Sequence, residues 1–83
     1  MSMKKATQTV LPYADQIVKD AVGVVRGGTS DIVNTVVTRM NDEMAKLGLP
    51  AGFGSDYPKI RAFITALVMK QMADKLMGEI SQP

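Results

Sequence analysis

Between residues 29 and 50 the chain carries an apolar pattern that admits one local structure. Ile32, Val33, Val36, Val37, Met40, Met44 and Leu47 recur at intervals of one, three and four residues. At about 100° per residue they occupy one continuous helical face, opposite Asn34, Thr38, Asn41 and Ala45. The ends of this segment are marked as well. Thr29 and Ser30 offer hydroxyls to exposed amides, and Asp31 places a carboxylate at the positive end of the helix dipole. After the last turn, Gly48 can take the left-handed conformation, Leu49 can fold back on Met44 as in a Schellman motif, and Pro50 blocks continuation. The pattern predicts a helix over residues 31–47 whose apolar face must be covered by other elements.

Two flanking segments supply the cover. Upstream, Pro12 suits a first helical turn, and Ala14, Ile17, Val18, Ala21, Val22 and Val25 repeat with helical spacing until Gly27-Gly28. This predicts a helix over residues 12–26, weakened by Val22-Gly23-Val24-Val25, where glycine and β-branched residues lower helix propensity. Downstream, Ala51-Gly52-Phe53-Gly54 forms a loop, Ser55 is placed to cap a third helix, and Pro58 falls early enough to be tolerated. That helix is expected over residues 56–80. Residues 1–10 show no apolar periodicity and read as a flexible N-terminal arm. The short connections favour antiparallel neighbours. The expected fold is therefore all-α, a three-helix bundle with a long C-terminal helix, formed by a single domain over residues 11–83. Val36, Met40, Met44, Ile64 and Leu67 are its expected core.

Several function classes are disfavoured by composition. The chain has neither Cys nor His, which removes the commonest ligands for zinc, copper and iron, along with thiol and imidazole chemistry. No metal site and no cofactor is expected. Among the carboxylates, Asp42 and Glu43 are sequence neighbours that diverge around a helix, whereas Asp15 with Lys19 and Asp42 with Lys46 have helix-stabilising spacing. The serines, at positions 2, 30, 55 and 81, lie near termini or helix starts. No enzymatic activity is expected from these features. Gly27-Gly28-Thr29-Ser30 lacks the lysine and spacing of a phosphate-binding loop.

Arg61, Lys70, Asp74 and Lys75 interrupt the most hydrophobic stretch before it reaches the ~20 residues needed to cross a bilayer. Neither Trp nor a lysine-rich face accompanies any apolar stripe, so no membrane association is expected. The polar start of the chain lacks a hydrophobic signal core, which gives a cytoplasmic expectation. The net charge of +2 is scattered along the chain and marks no polyanion-binding tail.

The third helix carries the functional signal. Ile60, Phe63, Ile64, Leu67 and Val68 share one face of its first half. Ala62, Ala66, Met69, Ala73, Leu76 and Ile80 line another in alternating four- and three-residue steps, with Met72 and Met77 flanking them. Either the first two helices clasp it from opposite sides and bury both faces inside a monomer, or one face serves the internal core and the Ala/Met seam meets another chain, most simply a second copy; the second arrangement is the expected one. A chain this short gains needed stability from such burial. The expected function is that of a small, non-enzymatic helical interaction protein, a homodimer that binds a macromolecular partner.

The alternative is a helix-turn-helix-like DNA-binding regulator. The first two helices and their glycine turn have that outline, with Thr29, Ser30, Asn34, Thr38 and Arg39 available on the reading helix. Against it, Asp31, Asp42 and Glu43 would repel phosphates, and Arg39 is the only basic group on that helix before Lys46.

Overall fold

A computed structural model describes residues 2–82. Its α-helices are α1 (Met3–Val10), α2 (Ala14–Val24), α3 (Thr29–Lys46) and α4 (Tyr57–Ser81), with 3₁₀ turns at Leu11–Tyr13 and Gly54–Asp56. No strand occurs among the described residues. Helices α2, α3 and α4 each pack against the other two, giving a three-helix bundle with a long C-terminal helix.

The predicted stripe of α3 is the heart of this core: Val33, Val36, Met40 and Met44 are buried. Val18 and Ala21 of α2 and Ile60, Ile64 and Val68 of α4 close around it. Each large aliphatic side chain removed from water here stabilises the fold by roughly 1.5–3 kcal/mol.

The N-terminal arm expected over residues 1–10 is instead helical where described. Ser2 caps α1 by accepting from the Lys5 amide at 3.1 Å. Ala6, Thr7 and Val10 are buried, and α1 packs on α3 and on the 3₁₀ turn before α4. The buried positions Ala6, Val10, Ala14, Val18 and Ala21 form one stripe at steps of four and three that runs through Pro12. Within α1 the buried side is only Ala6, Thr7 and Val10, and alanine and threonine contribute little hydropathy, so this part of the stripe is faint in sequence. The hydroxyl of Thr7 donates to the Met3 carbonyl at 3.0 Å, which lets this polar residue enter the core satisfied. Pro12, having no N–H, falls in the Leu11–Tyr13 turn that joins α1 to α2.

Other boundaries shift less. The first predicted helix ends at Val24 rather than residue 26, α3 starts at Thr29 rather than residue 31, and α4 covers Tyr57–Ser81. Thr29 and Ser30 are thus inside α3, whose N-cap is Gly28 without a side-chain bond. Ser55 does not cap α4: it lies in the 3₁₀ turn, and the N-cap residue is Asp56, also without a side-chain bond.

On α4 the buried strip is narrow, following Ile60, Ile64 and Val68 in four-residue steps. Leu67 is only half-buried and Phe63 is 43% exposed, both short of the core position expected for them. They sit about 100° around the helix from Val68 and Ile64, outside the cleft that α2 and α3 offer.

The aromatic ring that does fill the core is Phe53, in the loop before α4 and 1% exposed. Its φ of 69° is left-handed, between Gly52 at 98° and Gly54 at 54°, a conformation that costs a side-chain-bearing residue roughly 1–2 kcal/mol. Burial of the ring holds it there. A Cβ at Gly54 would come 2.9 Å from Cγ of Met3, so glycine there leaves room for that side chain of α1.

The stop after α3 is the predicted Schellman arrangement. Gly48 has φ of 70°, its amide donates to the Ala45 carbonyl at 3.0 Å, and the Leu49 amide donates to the Met44 carbonyl at 2.9 Å. A Cβ at Gly48 would meet no atom within 4 Å, so any penalty there is purely one of backbone conformation. Gly48→Val is expected to cost more than about 1 kcal/mol in urea denaturation, because a β-branched residue is strained at positive φ. An unchanged unfolding midpoint would contradict this.

Candidate functional site

With 25 residues, α4 is about 37 Å long, against about 27 Å for the 18 residues of α3. The described chain is correspondingly elongated, 51 × 22 × 19 Å. The last buried residue of α4 is Val68, and every described residue from Ala73 onward is exposed. The final turns of this helix therefore stand free of the bundle. A free helical segment of this length is marginal in water, where tertiary packing provides most helical stability.

The seam expected on α4 lies on this exposed side. Ala62, Ala66, Met69, Ala73, Leu76, Met77 and Ile80 are all exposed. The large ones are conspicuously so: Met69 59%, Leu76 55%, Met77 63% and Ile80 79%. Phe63 lies beside them and extends the same apolar surface. Met72 departs from the group. It is half-buried against the core, and its Sδ accepts from the Thr29 hydroxyl at 3.8 Å.

The remaining seam residues span 62 to 80, about 27 Å of helix, with Ile60, Ile64 and Val68 buried on the other side. Scattered apolar residues on a surface are ordinary, but a contiguous apolar strip of this length is a feature of interaction sites.

Two concavities flank the bundle. One, of about 330 Å³, lies between the projecting end of α4 and the α2–α3 turn and is lined by Val22, Val25, Ile32, Met72 and Leu76, with Lys75 and Glu79 at its polar edge. The other, of about 310 Å³, holds Arg39 and Lys46 among Asp20, Asp42 and Glu43.

The alternative DNA-contact residues do not converge on one free surface. Arg39 is half-buried and shares the second depression with three carboxylates. Asn34 is exposed, but its Oδ1 accepts from Nη2 of Arg61 on α4 at 2.8 Å. Thr29 is half-buried against Met72, while Ser30 and Thr38 are exposed. About 100° separates Arg39 from Thr38 around α3, so the single arginine is turned away from the Asn34/Thr38 side. Sequence reading missed the engagement of Asn34, because its partner Arg61 lies 27 residues away and no local spacing announces it.

No described helix is long and apolar enough to cross a membrane. Comparison with protein-family models, curated proteins and solved structures finds no match.

Proposed function

We propose that this chain is a small, non-enzymatic interaction protein that self-associates through the exposed seam of α4 and in that state presents its remaining surface to a macromolecular partner. The observation that carries the reading is the seam itself: an apolar strip on the longest helix, left open by a bundle whose core is already complete. Small residues at three- and four-residue spacing permit close approach of another helix, and Met69, Leu76 and Ile80 fill the intervening space. A contact across a two-fold axis lets one patch serve both subunits. The protein is read as acting in the cytoplasm.

DNA recognition by α3 has less support, since its one basic residue before the last turn, Arg39, shares a depression with three carboxylates and phosphate contact supplies a large share of the affinity of such proteins. A gel shift that weakens steeply with salt would favour that role.

The test of the main reading is the double variant Ala66→Glu with Ala73→Glu. Both alanines are exposed in the single chain, so the glutamates leave the bundle folded with a helical spectrum like that of the unmodified protein. In the seam they bring like charges together at the contact. The expected outcome is a folded monomer. A dimer that persists with both glutamates would overturn the proposed surface.

A further inference from the structure

The six seam residues are not interchangeable in size. Small side chains dominate the first half, with Ala62 and Ala66, and large ones the second, with Leu76 and Ile80, while Met69 and Ala73 lie between. Reversing the direction of the helix exchanges small for large at every step.

Resting on the self-association reading above, we propose that two copies pair α4 antiparallel about a two-fold axis at the height of Gln71. In this register Ala62 packs against the partner's Ile80, Ala66 against the partner's Leu76, and Met69 against the partner's Ala73. All six positions are used, each layer joins one small and one large side chain, and the layers follow the alternating spacing of an antiparallel helix pair. Moving the register by one heptad either way leaves two seam residues of each chain without a layer. It then sets alanine against alanine in one direction or Met69 against the partner's Ile80 in the other. A parallel pairing also fails on size, because it stacks alanine on alanine in the first half, where a void costs stability, and crowds leucine and isoleucine in the second.

The apolar edge agrees with the same register. Phe63 falls beside the partner's Met77, a sulfur–aromatic pairing that gives both of these exposed side chains a partner. Lys70 lies two residues, about 3 Å, from the height of both the partner's Lys70 and the partner's Asp74, so the charges along this edge do not select the register. The arrangement also covers the part of α4 that the bundle leaves bare: the projecting turns from Ala73 onward lie along the partner's first half. The exposed portions of the seam with Phe63 and Met77 amount to roughly 600 Å² per chain, so the pairing removes at most about 1,200 Å² in total, the lower edge of the range of stable, specific interfaces.

Because the chain has no cysteine of its own, disulfide trapping reads the geometry directly. Ala62→Cys and Ile80→Cys are made as separate single variants and oxidised alone and after mixing and subunit exchange. In the antiparallel pair each variant alone keeps its thiols about 27 Å from their copies, beyond the reach of a disulfide. The mixture brings residue 62 of one chain to residue 80 of the other. The expected result is a covalent dimer from the mixture and none from either variant alone. Linking of each variant to itself would establish a parallel pair, overturning the orientation while leaving self-association intact. A dimer by mass that fails to link in the mixture would overturn the register. Monomers by mass throughout would overturn the self-association reading as well.

Discussion

Val36→Asp unfolds the protein. Val36 is fully buried at the centre of the α3 stripe, and among the described residues Thr7 is the only polar one in the core, with its hydroxyl already committed to the Met3 carbonyl. A carboxylate placed there has no cation and no amide to receive it. The expected loss is on the order of 4 kcal/mol or more, against a whole stability of roughly 4–12 kcal/mol for a domain this size at about 0.05–0.15 kcal/mol per residue. Circular dichroism and a thermal melt check this directly. Val36→Ala, which only removes volume, remains folded with a lowered melting temperature. A folded Val36→Asp protein with an unchanged melting temperature would show that the buried face of α3 has been misassigned.

Phe53→Ala has the next largest effect, about 3–4 kcal/mol, for loss of the aromatic ring from the core. The backbone makes a second variant informative. Alanine at φ of 69° keeps the left-handed strain but loses the ring that offset it, whereas glycine relieves the strain. Phe53→Gly is therefore expected to be at least as stable as Phe53→Ala in urea denaturation, the reverse of the usual order of these two residues. A glycine variant clearly less stable than the alanine one would mean that the left-handed conformation of the loop is not what Phe53 maintains.

These two sites also mark how far the fold could be read before the structure. Val36 belongs to a strong periodic signal, and that signal located α3, its buried face and its Gly48 stop. Phe53 sits in a loop among glycines, where no period exists to reveal that its ring turns inward. The same limit hid α1. Of its inward residues Ala6, Thr7 and Val10 the first two are small or polar, and Lys4, Lys5, Gln8 and Thr9 dilute what remains, so the helix is specified by its Ser2 cap and its docking on α3 more than by hydropathy. On α4 the two apolar faces were legible from spacing. How wide a cleft the rest of the bundle would offer was not, and that width is what left Phe63 half exposed and drew Met72 toward Thr29. The seam could be found in sequence because it is periodic. Its exposure depends on where α2 and α3 pack, which only the assembled fold displays.

The central claim, that the open face of α4 is a contact between copies of this chain, is tested most directly by the mass of the unmodified protein in solution. Light scattering across a concentration series is predicted to give twice the 8.9 kDa of the single chain, falling toward one chain only on dilution. A mass of one chain at every accessible concentration would contradict the account.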